Sequence, residues 1–521
     1  MPLTYAIAPA MPLSAPFSAI RRLPALFRAS LIDPVRADST VLLSLAFYVA
    51  VWTAYGTIAK APLGLHPDMV EIVAWSRDLS LGYLKHPPLA AWLVAAWFAV
   101  FPVTEWAYYL LAMLMPAVAL WLAWKLSADY LDAEKRVVGL LLLMLVPFFN
   151  FHALKYNVNT VMMPLWAATT LAFLRSYRTS SLKWAALAGV CAAGAMLTKY
   201  WSVFLLAGLV VAALIDRRRM AYFKSLAPWV TVVAGAVVLA PHIVWLVDHH
   251  FAPFTYAMVV HGEKSLATTA VSAVGYIGGS IAYVAIPLVI VAVMAAFNPA
   301  TFADMAWPQE RERRLAALAF WLPFLLPALG AIVGRSEITS LWSMPAFTLL
   351  GVLLLSPPGV IVRAVDTQRL LVAAIVVPLA MLAASPGIAI MGQRKGPPAA
   401  SAQAALLAHQ VEQAWRQMTP APLRFVGGEA DLAYGVVTYA ADRPRALTDM
   451  PPPDAAELAR DGAAYVCMAD DQNCRLKAAE LAVKVPGSRT VESSIVRAFL
   501  RTPGQPQRYT LILVPPQFSR Q

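Results

Sequence analysis

The chain is a succession of apolar blocks, each close to the about 20 residues that a helix needs to cross the hydrocarbon of a bilayer. That repetition leaves few fold classes open. Blocks fall near 40–59, 107–128, 137–154, 159–175, 183–198, 200–215, 226–247, 270–296, 315–334, 341–356 and 369–391, with a further one at 87–103. With 60% hydrophobic and 13% charged residues in 521, the sequence is far more apolar than a soluble protein of this size requires. The net charge of +12 does not argue for a nucleic-acid partner, because the basic residues sit in short clusters between apolar runs and form no single patch.

Those clusters orient the chain, since Lys and Arg favour cytoplasmic loops. If the N-terminal segment 1–38 with Arg21, Arg22, Arg28 and Arg36 is inside and 87–103 does not span, five basic loops also fall inside. They carry Lys135 and Arg136; Arg175, Arg178 and Lys183; Arg217 to Arg219 with Lys224; Arg311, Arg313 and Arg314; and Arg363 with Arg369. Letting 87–103 span would turn every one of them outward. The block is therefore expected to be a helix on the outer surface, begun by Pro87 and Pro88 where proline is tolerated. Eleven spans result, in a membrane domain 39–391 whose first external loop is 60–106. The tail 1–38 is expected to be cytoplasmic and partly disordered, and no cleaved signal is read in it.

Beyond residue 391 the character changes. An amphipathic helix is expected at 402–418, a strand at 423–427, a helix near 430–440, a strand at 463–469, a helix to about 483, and strands at 490–499 and 508–514. This alternation describes a small soluble α/β domain, 392–521, on the outer face. There Cys467 and Cys474 can be either two free thiols or a disulfide, which an oxidising compartment permits.

The outer face also gathers the polar chemistry. The stretch HPDMVEIVAWSRDLSLGYLKHPPLAAW (66–92) holds Asp68, Glu71, Arg77, Asp78, Lys85 and His86 between apolar runs, and ionisable groups at such a place are functional candidates. Asp68 can act as a general base or merely cap a helix after Pro67, with Glu71 completing a capping box. Lys85 can hold a phosphate or snorkel to headgroups. In KYNVN (155–159), Lys155, Asn157 and Asn159 can meet a ligand or cap the next helix. In LTKY (197–200), Lys199 can reach a phosphate or anchor a turn. His249, His250, His261 and Glu263 fit no recognised metal spacing.

The run DMVEIVAWSRDLSLGYLKHPPLAAW, the later LTKY and the many-span body with an external tail resemble the bacterial protein O-mannosyltransferase-like glycosyltransferases of family 39, with the GT-C fold. These are related to the lipid A aminoarabinose transferases and the rhizobial lipopolysaccharide galacturonosyl transferases. The resemblance implies transfer of a monosaccharide, with inversion, from a polyprenyl-phosphate donor to a lipid or envelope glycan acceptor on the periplasmic side of the bacterial inner membrane. It also implies that Asp68 is the catalytic carboxylate. Departures are informative: Met69 stands where relatives commonly have a second acid, Lys85 where many have an acidic metal ligand, and Asn159 where relatives often carry aspartate. His261 resembles a histidine of the aminoarabinose enzymes.

The expected site is thus Asp68 as base, with Lys85, Lys199 and Lys155 on the donor phosphate. Glu71, Tyr83, His86, Asn157, Asn159, Tyr200 and His261 are expected around the substrates. No cofactor is expected, since Lys85 supplies the charge a divalent ion would bring; a metal with His261 as ligand is the alternative. The expected fold is an all-α polytopic GT-C membrane domain with external juxtamembrane helices and the small α/β domain. The competing readings are a lipid or sugar flippase, against which the absence of repeated halves and midplane charges counts, and a non-catalytic envelope assembly factor.

Overall fold

A computed structural model of the chain describes residues 15–262, 264–396, 400–448 and 455–517. Among the described residues six helices are long and apolar enough to cross a bilayer: Ala37–Ala59, Glu105–Ser127, Ala227–Asp248, Leu266–Tyr283, Arg311–Val333 and Ala364–Lys395. A helix satisfies its own backbone, which lipid cannot do for it. Val232, Val233, Val237 and Val244 of Ala227–Asp248 point outward as an exposed apolar face. Helix Val158–Thr179 is buried along most of its length, packed on Glu105–Ser127, on Leu182–Met196 and on the 3₁₀ segment Ser340–Leu349. Small residues permit the closest approaches. A Cβ at Gly189 would lie 2.2 Å from the carbonyl oxygen of Thr231, so only glycine fits where Leu182–Met196 crosses Ala227–Asp248.

Four expected spans are not continuous α-helices, and one of them, 200–215, opens with the 3₁₀ turn Tyr200–Ser202 before helix Val203–Ile215. The block 137–154 is a helix only over Ala133–Met144 and then turns through a 3₁₀ segment at Pro147–Phe149. The carbonyls this frees are met from within the protein: Asn150 Nδ2 donates to Met144 and Val146 oxygens at 3.1 Å, and the Tyr48 hydroxyl to Phe149 at 3.0 Å. Such breaks are tolerated at membrane depth when buried in protein. The block 270–296 divides into Leu266–Tyr283 and Ala285–Met294, and 341–356 is 3₁₀ before its last turn, Leu350–Leu355. The N-terminal tail also differs from expectation. Ala15–Ile32 is helical, and Arg28 pairs with Glu134 at 2.5 Å; residues 1–14 lie outside the described ones.

Block 87–103 is the twelve-residue helix Leu89–Val100. At 1.5 Å per residue it reaches about 18 Å, short of a hydrocarbon core about 30 Å thick. The Leu89 N–H donates to the Leu197 carbonyl at 3.0 Å, tying this helix to the LTKY turn.

The C-terminal region forms a five-stranded sheet in the order Arg445–Ala446, Phe425–Gly428, Ala463–Met468, Gln507–Val514, Arg489–Ile495. The first three are parallel and the last two join antiparallel. Helices Ala404–Met418, Ala430–Tyr439 and Gln472–Val483 accompany it close to their expected places. Cys467 and Cys474 are joined by a disulfide, their Cα atoms 5.8 Å apart. Helix Ala430–Tyr439 packs on the loop helix Pro67–Arg77. Arg445 bonds Asp78 at 2.7 Å, and Arg77 donates to the Thr438 carbonyl at 3.3 Å. The domain thereby holds down the loop that carries Asp68.

Candidate functional site

Helix Pro67–Arg77 begins with proline at its first position, where the missing N–H costs nothing. Its cap is His66, in extended conformation, whose Nδ1 accepts from the Asp68 N–H when it carries no proton and faces the Asp68 carboxylate as a donor when it does. Asp68 is therefore not the cap. Its carboxylate is left for other partners: Lys155 Nζ at 2.9 Å, Asn157 Nδ2 at 3.0 Å and His66 Nδ1 at 3.3 Å. Burial pushes the Asp68 carboxyl up. The hydrogen bond and charge of His66, the Lys155 ammonium and the Asn157 amide outweigh it and hold the group well below the usual carboxylate range.

Asn157 does the two jobs its position allowed. Its Oδ1 accepts from the Asn159 and Thr160 N–H groups at 3.0 and 3.2 Å, capping Val158–Thr179, while its Nδ2 faces Asp68. The Thr160 hydroxyl donates to the Lys155 carbonyl at 2.8 Å and fixes the turn that presents Lys155.

These groups form one wall of a cavity of about 550 Å³, into which Asp68, Lys85, His86, Lys155, Asn157, Asn159, Lys199, Tyr200 and His261 all project. Lys199 is unusual among them. Its Nζ donates to Asn159 Oδ1 at 3.0 Å and lies 4.2 Å from the centre of the Trp342 ring, with Trp201 on another side. Burial lowers this ammonium to about 7; Asp68 opposes the shift and Lys155 adds to it. A cation held by an amide and two indoles is poorly neutralised and suited to meet an incoming anion.

His86 is held neutral, pushed down to about 3 by burial and by Lys199, Lys85 and His261 against the opposing charge of Asp68. His261 faces Trp342 edge-on at 5.4 Å and is also lowered, by burial and then Lys199. Tyr200 stacks on Phe254 at 4.6 Å, and its hydroxyl meets His242 Nε2 at 2.9 Å.

Two expected substrate contacts lie elsewhere. Tyr83 is buried against Trp75, rings 5.2 Å apart, and its hydroxyl donates to the Trp75 carbonyl at 2.9 Å; it shapes the loop and does not reach the cavity. Glu71 forms no capping box, because its carboxylate takes the Lys85 ammonium at 2.5 Å. Lys85 therefore reaches the cavity with a carboxylate already beside it. Sequence reasoning missed Trp201, Trp342, Tyr256 and His152 on the cavity wall. Tryptophans at span ends read as membrane-interface anchors, and only the adjacency of Trp201 to LTKY hinted otherwise.

The acids and the imidazole nearest the cavity already have partners. Among the described residues no three His, Cys, Asp or Glu side chains converge. Glu71 is bound to Lys85, Asp68 to Lys155, and His261 faces an indole. Glu263 lies outside the described residues.

The fold is similar to that of ArnT from Cupriavidus metallidurans bound to undecaprenyl phosphate, with a TM-score of 0.60 and 15% identity over 92% of this chain and 100% of that one. The apo state of the same protein gives 0.57 at 16% identity, with the same coverage. The fold is thus of the GT-C type. Residues 85–245 match the family described as dolichyl-phosphate-mannose-protein mannosyltransferase. The lipopolysaccharide core galacturonosyltransferase RgtB of Rhizobium johnstonii is 26% identical over 296 residues, which are 54% of this chain and 58% of that protein.

Proposed function

We propose that the protein transfers a monosaccharide from a polyprenyl-phosphate donor to a lipid or envelope glycan acceptor, with inversion, on the periplasmic face of the inner membrane. The observation that carries this reading is the Asp68 carboxylate, gripped by Lys155, Asn157 and His66 at the wall of a cavity whose other cations are Lys85 and Lys199. The undecaprenyl phosphate bound to the ArnT relative, and the galacturonosyl transfer named for RgtB, give the donor lipid and a hexuronic acid as the pair to test first. The disulfide and the Lys/Arg pattern support an external, oxidising location for the C-terminal domain.

In this mechanism Lys199, aided by Lys85, receives the donor phosphate. The acceptor hydroxyl lies against Asp68, gives its proton to the carboxylate and attacks the anomeric carbon from the face opposite the phosphate. The new carbon–oxygen bond forms as the bond to phosphate oxygen breaks. Polyprenyl phosphate departs with the electron pair, its charge met by the lysines. A carboxylate as acidic as ligand-free Asp68 is a weak base. Donor phosphate that draws Lys155 toward itself strengthens that base at the moment it is needed. Purified Asp68→Asn protein should fold, bind undecaprenyl phosphate and fail to transfer; transfer at the wild-type rate would remove Asp68 from the mechanism.

A further inference from the structure

A second cavity, of about 440 Å³, lies on the other side of Lys155 and His152, which line both spaces. Its polar rim is Lys60, His66, His152 and Lys155, and among the described residues no carboxylate lines it. Lys155 is paired with Asp68, and His66 touches the same carboxylate. Lys60 has no carboxylate or hydrogen-bond partner for its ammonium among the described residues, nor has the His152 imidazole for its nitrogens. A space rimmed by cations and imidazoles with an unmatched ammonium favours an anion.

The floor is apolar: Leu63, Met69, Tyr109 and Phe151, the last of them 38% exposed. Lys60 directly follows the span Ala37–Ala59 as its C-terminal cap, so the mouth lies at the membrane surface. Apolar floor, basic rim and surface height together suit the sugar end of a lipid whose acyl chains stay in the bilayer.

We propose that this cavity is the acceptor site, and that the acceptor is an anionic lipid-anchored glycan whose phosphate or carboxylate is held by Lys60 and His152. The proposal rests on the glycosyltransferase reading. Donor and acceptor then approach from opposite sides of the Lys155–Asp68 pair, the two places from which an in-line displacement beside Asp68 can be assembled. Lys60 in this arrangement binds and orients the acceptor and takes no part in the bond exchange.

The test is binding by the full-length protein in nanodiscs of neutral phospholipid. Probes are undecaprenyl phosphate, lipid A with its phosphates, dephosphorylated lipid A bearing two keto-octulosonates, and a neutral diglucosyl diacylglycerol. At least one anionic glycolipid should bind at least tenfold tighter than the neutral one, and which does so tells phosphate from carboxylate. Lys60→Glu should weaken that binding about tenfold, the scale of one charge-assisted contact, with Lys60→Arg restoring it. Undecaprenyl phosphate should bind both variants within about twofold of wild type, which also certifies their folding. Equal binding of the neutral lipid, no effect of Lys60→Glu, or an equal loss of undecaprenyl phosphate binding would each overturn the proposal. A wild-type protein that binds no undecaprenyl phosphate would instead strike the donor reading.

Discussion

Asn157 Nδ2 donates to Asp68 Oδ2 across 3.0 Å, while the other atom of the same amide caps the helix Val158–Thr179. The helix start and the geometry of the proposed base are therefore one constraint. Asn157→Ala should cost about 1 kcal/mol through the lost cap. It should also raise the apparent pKa of the base, because one hydrogen bond to the charged carboxylate is gone. Asn157→Asp keeps the cap but sets a second negative charge beside Asp68, and should lower transfer more than stability. Thermal melts and pH–rate profiles of both variants separate the effects; a fall in transfer that only tracks melting temperature would reduce Asn157 to a cap.

Lys199 sets a pH dependence whose sign is fixed by its burial. Its ammonium is lowered to about 7, so the charged form dominates below that pH and is lost above it. A donor phosphate recognises the charged form. Undecaprenyl phosphate affinity should therefore fall roughly fivefold between pH 7 and pH 8. The lipid phosphate titrates too, and Lys199→Arg separates the two because guanidinium stays charged. Titrations of binding by both proteins should differ in slope; parallel curves would deny Lys199 the role.

Much of the architecture was legible because lipid imposes simple rules. Apolar length marked the long helices, and basic loops demoted 87–103, which is the short helix Leu89–Val100. Alternating patterns located the strands and helices around Phe425–Gly428 and Ala463–Met468. The breaks at Pro147 and Val284 were not legible: buried side chains such as Asn150 and Tyr48 serve the interrupted backbone, and hydropathy does not register them. Within the site, the residues of KYNVN and LTKY do converge with Asp68, Lys85, His86 and His261. Tyr83 and Glu71 were misplaced because sequence adjacency does not say which face of a short loop meets the cavity. The Trp342 contact with Lys199 joins residues far apart in sequence, which no local pattern reports.

The Cys467–Cys474 disulfide joins the end of strand Ala463–Met468 to helix Gln472–Val483 across a short loop. By the chain-entropy account a loop this small gives about 2.5 kcal/mol. Reduction, or Cys467→Ser with Cys474→Ser, should loosen the C-terminal domain before the membrane helices. Hydrogen exchange should rise first in Ala463–Met468 and Gln507–Val514, with transfer falling less than about tenfold while Ala430–Tyr439 stays docked on Pro67–Arg77. Simultaneous loss of protection in the membrane helices would show that the domain is not a separate cooperative unit.

Lys85 and Glu71 form an ion pair at 2.5 Å, with side chains 23% and 15% exposed. By the resemblance read from the sequence, the ammonium stands at a position where a carboxylate is expected. If it replaces a metal ion's charge, wild-type transfer should stay within about twofold after chelation, since no step awaits a divalent cation. Lys85→Glu sets a second carboxylate against Glu71, removes a positive charge from the cavity and leaves two acids able to share a cation. Its transfer should drop about a hundredfold or more in chelator, the loss expected when a group stabilising transition-state charge is removed. Added divalent ion should recover part of it in the variant and none in wild type. Glu71→Gln tests the other partner: Lys85 is released, donor phosphate binds at least as well, and transfer persists. A wild-type enzyme that loses transfer to chelator and regains it with a divalent cation would return Asp68 and Glu71 to consideration as ligands and deprive Lys85 of its assigned role.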